Sequence, residues 1–275
     1  MKKIISLFLC LILCLALIPV SAFAEEDFED PFIPVEEEEF VVESEPESVV
    51  DALVNEQVVY GNWYSSGGKW YFRLSNGSYV KDCFLTIDGK TYYFNASGVM
   101  QTGWRQIGGY WYYFNSSGVM QTGWLKSGSK WFLLSTASSV ENGRGIMLTG
   151  WQKTGGKWYY MNSSGEMQTG WKKISGKWYY LNSDGHMETG WKQIGGKWYY
   201  FDGSGAMKTG WVKSSGKWYY MLDDGSMATR TLIYDENWSA YYCVDENGVM
   251  VTNETWVYQG THYHFGADGK CDYTY

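Results

Sequence analysis

The 275-residue chain carries 22 Lys/Arg against 30 Asp/Glu, for a formal charge of −8, together with 16 Trp, 24 Tyr and 33 Gly. The charge is segregated: residues 25–57 hold 14 acids and no base, which leaves 20 bases and 16 acids between residue 58 and the C-terminus. A body this weakly basic excludes nucleic acid as a partner, and the odd, sparse set Cys83, Cys243 and Cys271 is no disulfide framework, although Cys243 and Cys271 could pair.

Met1-Lys2-Lys3, the apolar run Ile4–Val20 and the small residues around Ala22-Phe23-Ala24 have the layout of a secretory signal peptide, cleaved after Ala24. The run is short for a bilayer span, and no later stretch is apolar enough to serve, so the mature chain is expected to lack a transmembrane segment. Residues 25–58, rich in acids and holding three of the four prolines, read as a disordered spacer that cannot bury enough apolar surface to offset chain entropy.

From residue 59 to 275 a repeat dominates. Trp104, Trp124, Trp151, Trp171, Trp191 and Trp211 each follow Thr-Gly, mostly at 20-residue steps. Seven residues after each comes a second indole: Trp111, Trp131, Trp158, Trp178, Trp198 and Trp218. In a typical unit Trp198-Tyr199-Tyr200-Phe201 is β-prone, Asp202-Gly203-Ser204-Gly205 is a turn, and Ala206-Met207-Lys208 returns as a second strand. A lone hairpin is marginal in water, so the units must stack. The expected fold is all-β: a β-hairpin solenoid of about ten tandem, roughly 20-residue aromatic repeats. The insertion around Ser135–Gly145 should be a surface excursion. Phe84 and Thr91 replace both tryptophans of an early repeat. In the last, Trp256 is read at the first indole position, with His262 and His264 at those of the second indole and second tyrosine.

Thr-Gly-Trp, Gly-Lys-Trp-Tyr-Tyr and Asn-Ser-Ser-Gly-x-Met in fixed register resemble the choline-binding, or cell-wall-binding, repeats. The resemblance implies choline held between consecutive repeats by two Trp of one and the second Tyr of the next, with a Met nearby. Carried onto this sequence it gives three regular cages: Trp151, Trp158 and Tyr180; Trp171, Trp178 and Tyr200; Trp191, Trp198 and Tyr220. Three irregular ones are Trp124, Trp131 and Tyr160; Trp211, Trp218 and Tyr242; and Trp63, Trp70 and Tyr93, with Met167, Met187 and Met207 as lining residues. Trp104 and Trp111 would need Leu133 as a third wall, so that cage is expected to be weak or absent.

A quaternary ammonium donates no ordinary hydrogen bond and is held by aromatic faces, so the residue types suit the chemistry. The implied function is non-catalytic, multivalent recognition of choline on teichoic or lipoteichoic acid by a protein secreted to the Gram-positive wall surface. The alternative is a carbohydrate-binding repeat protein or adhesin, on wall or host glycans. Tyr159, Tyr179 and Tyr199 are read as core rather than site residues. With signal, spacer and repeats removed, no stretch is left for a catalytic domain, and no cofactor or metal site is indicated. The oligomeric state, monomer or dimer, is left open.

Overall fold

A computed structural model describes residues 60–138 and 143–275, and the backbone of 5–7 and 57–58. The expected signal cleavage site, most of the acidic spacer and residues 139–142 of the insertion lie outside the described residues. The described chain is all-β and divides into two compact units, residues 1–149 with 163–166, and 150–162 with 167–275.

Ten hairpins follow one another among the described residues. The first unit holds Gly61–Ser66 with Lys69–Leu74, Cys83–Ile87 with Lys90–Phe94, Gly103–Ile107 with Tyr110–Phe114, and Gly123–Ser127 with Lys130–Leu134. The second holds Gly150–Thr154 with Lys157–Met161, Gly170–Ile174 with Lys177–Leu181, Gly190–Ile194 with Lys197–Phe201, and Gly210–Ser214 with Lys217–Met221. Thr231–Asp235 with Ala240–Val244, and Glu254–Tyr258 with Thr261–Phe265, complete it. Cys271–Thr274 adds a third strand to the last hairpin. Ile5–Leu7 pairs with Gln57–Val58 and with Cys83–Ile87.

The sequence reading placed the hairpin turn one segment too late. The paired strands are Gly190–Ile194 and Lys197–Phe201, joined across Gly195-Gly196 with φ of 58° and 82°. Two successive left-handed residues make the tight turn whose twist matches paired strands. Asp202–Gly205 is instead the connector to the next hairpin, and Met207 meets Phe201 only at an isolated bridge. The connector is closed by Asp202 Oδ1, which accepts the backbone N–H groups of Ser204 and Ala206 at 3.0 Å each. Asn95, Asn115, Asn182 and Asp245 hold their connectors in the same way.

Side-chain alternation sorts each hairpin into two faces. Trp191, Trp198 and Tyr200 share one; Tyr199 and Phe201 share the other. The first face of one hairpin meets the second face of the next, as when Trp171 packs on Tyr199 and Phe201 with centroids 4.8 and 5.6 Å away. From the second hairpin onward the last residue of the second strand is therefore fully enclosed: Phe94, Phe114 and Leu134 in the first unit, and Met161, Leu181, Phe201, Met221, Val244 and Phe265 in the second; Leu74, at the end of the first hairpin, is only partly buried.

Few backbone bonds cross between hairpins, since no two hairpins share a sheet. A recurring one runs from the connector methionine to the preceding hairpin: Met187 N–H to the Trp158 carbonyl (2.9 Å), Met207 to Trp178 (2.8 Å), Met227 to Trp198 (2.7 Å) and Met250 to Trp218 (2.8 Å). The methionine side chain then lies over the glycine of the following connector. A Cβ on Gly205 would stand 2.4 Å from Met187 Sδ, and one on Gly225 2.2 Å from Met207 Sδ.

Cys243 and Cys271 pack in one apolar cluster, yet both thiols are free, so the pairing considered above is not made. Trp256 also departs from its assigned position. It lies opposite Tyr263, and Thr255, opposite His264, takes the first indole's register position. His262 and His264 stack on Tyr275 and Tyr273 of the terminal segment, with centroids 4.8 Å apart in each pair.

Candidate functional site: aromatic clefts between hairpins

The two indoles of a repeat sit at right angles. Trp171 and Trp178 are 6.3 Å apart at 86°, Trp211 and Trp218 6.5 Å at 90°, Trp63 and Trp70 6.3 Å at 85°, and Trp124 and Trp131 6.3 Å at 88°. Trp171 and Trp191 are half-buried where the hairpins stack, whereas their partners Trp178 and Trp198 remain 41% and 42% exposed. Each of these two pairs therefore forms a corner with one wall fixed by packing and one open to solvent; Trp124 is exposed, and Trp158 and Trp218 are half-buried.

A ring from the next hairpin packs against the first indole. Trp151 meets Tyr179 at 5.0 Å, Trp171 meets Tyr199 at 4.8 Å, and Trp191 meets Tyr219 at 4.8 Å. These are the first tyrosines of their pairs. Tyr160, Tyr180, Tyr200 and Tyr220 instead lie directly opposite Trp151, Trp171, Trp191 and Trp211 within their own hairpins, at 5.1 to 5.2 Å. The cause is the stacking of opposite faces: the face turned toward the preceding hairpin carries the first tyrosine.

The same shift puts Tyr92, at 4.9 Å, beside Trp63, while Tyr93 pairs with Phe84. Tyr242 does meet Trp211, at 5.2 Å, because the ninth hairpin's Tyr241-Tyr242 places its second tyrosine in the register of Tyr219. Trp104 has an aromatic neighbour after all: Phe132, at 4.8 Å, takes the position for which Leu133 was considered. Trp124 and Trp131 lie in the first unit and Tyr160 in the second.

Three clefts have defined walls. One of about 250 Å³ is lined by Trp191, Trp198, Tyr219, Met227 and Asn247. One of about 470 Å³ is lined by Trp63, Trp70, Tyr92, Met100, Ser116 and Ser117. The largest, about 520 Å³, joins Trp211, Trp218, Tyr242 and Met250 with Trp238. Each takes its methionine from the connector that hydrogen-bonds the second indole's carbonyl. That rule gives Met187 to Trp158 and Met207 to Trp178; Met167, like both of them, makes an isolated bridge to the strand before it, at Met161, and lies over the glycine of the following connector, Gly185.

Trp238, Asn247, Met227 and Met250 were not singled out from sequence. Trp238 breaks the repeat spacing, but the exposed turn between two β-prone runs was a usable signal. Asp235 fixes its turn, accepting the Trp238 N–H at 3.3 Å through Oδ1, and holds the Trp211 indole N–H at 3.0 Å through Oδ2. In the preceding repeat Ser214 Oγ accepts the Trp191 indole N–H at 3.1 Å.

The rings present electron-rich faces, and Asp268 and Lys270 also line the largest of the three clefts. Burial, and then the Asp268 and Asp235 carboxylates, push the Tyr242 phenol above its ordinary range; burial and Asp88 do the same for Tyr92. The indoles already attract cations, since Lys213 Nζ lies 5.5 Å from the Trp218 ring centroid and Lys126 Nζ 5.7 Å from that of Trp131. Among the described residues no group of three or more His, Cys, Asp or Glu is placed to hold a metal ion.

The sequence pattern of the family described as choline-binding repeat matches residues 59–102, 101–138, 148–188, 168–209, 188–232 and 209–256. The chain belongs to the choline-binding repeat family. Among solved structures it is similar to CbpJ from Streptococcus pneumoniae TIGR4, at 29% identity and TM-score 0.51, over 77% of this chain and 94% of that one. It is also similar to the modular autolysin LytC from Streptococcus pneumoniae, at 25% identity and TM-score 0.55, over 77% of this chain but 46% of the autolysin. No curated protein sequence matches it. The choline-binding repeats here thus account for both Trp positions, the next hairpin's ring and the methionine as one recurring arrangement.

Proposed function

We propose that this chain is a non-catalytic, multivalent binder of choline residues on teichoic or lipoteichoic acid, exported and held non-covalently at a Gram-positive wall surface. The supporting observation is the cleft of Trp191, Trp198, Tyr219 and Met227: three rings and a thioether around an open space, with Asn247 as the polar member. A trimethylammonium group fits such walls because its methyl groups gain apolar contact while its charge faces the rings. Each ring contributes about 0.5–2 kcal/mol, which after association costs corresponds to a single site of roughly millimolar affinity. Several clefts on one chain, meeting a polymer with many choline groups, raise retention by about 10²–10⁴-fold.

A carbohydrate ligand is the second reading. Ser116, Ser117 and Asn247 put hydroxyl and amide groups beside the rings, as a sugar would require, and LytC has a structure in complex with a synthetic peptidoglycan ligand. Chromatography of the full chain on a choline-bearing matrix separates the readings. Retention with elution by free choline supports choline; passage through that matrix with retention on purified wall glycan supports sugar.

A further inference from the structure

Within each unit a hairpin turns its first-tyrosine face toward the hairpin before it. The first hairpin has none before it among the described residues, and its sequence changes on that face. Arg73 meets Tyr79 at an isolated bridge, as Phe201 meets Met207. Arg73 thus holds the register position at which every later hairpin encloses an apolar residue, and Tyr79 replaces the connector methionine. Arg73 itself is exposed. Side-chain alternation puts Asn62, Tyr64, Lys69 and Tyr71 on the same face. Tyr64, Tyr71 and Tyr79 contact one another, with centroids 5.8 to 6.2 Å apart, and Tyr64 and Tyr79 remain 45% and 36% exposed.

The face is basic as well as aromatic. Residues 60–81 contain Lys69, Arg73 and Lys81 and no acid. Lys81 lies beside Tyr71: a Cβ on Gly98 would stand 3.5 Å from the one and 3.7 Å from the other. Asp82, the next residue, accepts the Tyr93 phenol at 2.6 Å. Arg73 Nε donates to the Gly77 carbonyl at 3.3 Å, which seats the guanidinium against the connector. Its remaining N–H groups, the three phenols and the Asn62 amide have no hydrogen-bond partner among the described residues.

No aliphatic side chain stands on this face, so an acyl chain or an apolar peptide anchor gains little there. A sugar ring can set its C–H face on a tyrosine and its hydroxyls against phenol and amide groups. A guanidinium pairs with a carboxylate through two parallel hydrogen bonds. We infer that the open face of the first hairpin binds a carboxylate-bearing polysaccharide, with the three tyrosines stacking sugar rings and Arg73 pairing with a carboxylate. This site stands apart from the indole clefts, since Trp63 and Trp70 lie on the opposite face of the same hairpin.

The test is isothermal titration calorimetry of the full chain with three probes: a glucuronate–N-acetylglucosamine decasaccharide, its carboxyl-reduced neutral form, and poly-L-glutamate. The acidic glycan should bind, less tightly as salt is added. The neutral form should bind about two- to five-fold more weakly, the range of an exposed ion pair. Arg73→Gln should bring the acidic glycan down to the affinity of the neutral form, and Tyr64→Ala should weaken both glycans about two- to ten-fold. Tyr234→Ala, at an exposed tyrosine of the ninth hairpin, should change neither. Tyr64 and Arg73 are exposed, so both variants should keep the parent melting temperature. Both should also keep the parent's retention on a choline-bearing matrix, which separates this inference from the choline reading. Absence of acidic-glycan binding, or undiminished binding in Tyr64→Ala or Arg73→Gln, would overturn it. Tighter binding of poly-L-glutamate would give the face to an acidic polypeptide instead. Carbodiimide coupling of Lys69 to an acid of residues 25–57 that the glycan fails to displace would give it to the chain's own acidic segment, again overturning the inference.

Discussion

At the scale of single residues, the second indole and the first tyrosine of a repeat do different work. Trp198 is largely open to solvent, so Trp198→Ala should leave the melting temperature nearly unchanged. It should weaken its own cleft about 3- to 30-fold, the value of one lost ring, as read by ¹⁹F or fluorescence titration. Tyr179 is 4% exposed and also walls the Trp151 corner. Tyr179→Ala should therefore cost about 3 kcal/mol of stability and also impair the Trp151 cleft, whereas Tyr179→Phe should keep both. Equal behaviour of Trp198→Ala and Tyr179→Ala in thermal melts would refute this division of roles. Cys243 gives an independent check of the packing. Burial, reinforced by Asp245 and Glu254, pushes its thiol up to about 12. It should resist alkylation at pH 8 in the native chain and react once the chain is unfolded, as counted by mass spectrometry.

At the scale of the hairpin and its connector, adjacent repeats are held by a methionine lying over a glycine and by exposed ion pairs. Gly205 has φ of 82° and would bring a Cβ within 2.4 Å of Met187 Sδ. Gly205→Ala should destabilise the second unit by about 1–3 kcal/mol. Adding Met187→Ala should make the glycine substitution less costly by removing the clash, although the backbone strain remains; a double-mutant cycle in urea measures this coupling. Lys197 reaches from one hairpin to Asp224 in the next connector at 3.0 Å. The Ser226 hydroxyl and N–H, then Lys197, hold the Asp224 carboxyl down at about 2. A depressed acid favours the folded state above its unfolded pKa near 3.9. The contribution of Asp224 is thus complete above about pH 4 and is lost as pH falls toward about 2. Urea melts at pH 5 and pH 2 should show Asp224→Asn with less acid loss than the parent chain.

At the scale of the whole chain, repetition has one structural and one functional consequence. A hairpin with an indole face and a tyrosine face cannot bury both by itself, but a stack encloses each at its neighbour's expense. The same stacking leaves corners of rings between hairpins within each unit, and weak sites become useful only together. Successive removal of Trp70, Trp178, Trp198 and Trp218 should lower the free-choline concentration needed for elution from a choline matrix step by step. Loss of all retention after one substitution would argue for a single dominant site.

The repeat, the all-β class and the participating indoles were legible in the chain itself, because a fixed 20-residue period with Trp, Gly and Met in register leaves few ways to fold. Periodicity was silent on which face meets which. Both tyrosines of a pair recur with the same spacing, so Tyr180 and Tyr179 were equivalent partners for Trp151 until hairpins were stacked. The turn was ambiguous for a related reason: Gly195-Gly196 and Asp202–Gly205 are both turn-forming sequences, and only strand pairing shows which closes the hairpin. Trp238 falls outside the period altogether. Its place beside Trp211 is made by Asp235 and the fold of the ninth hairpin, contacts that arise only when residues distant in sequence are brought together.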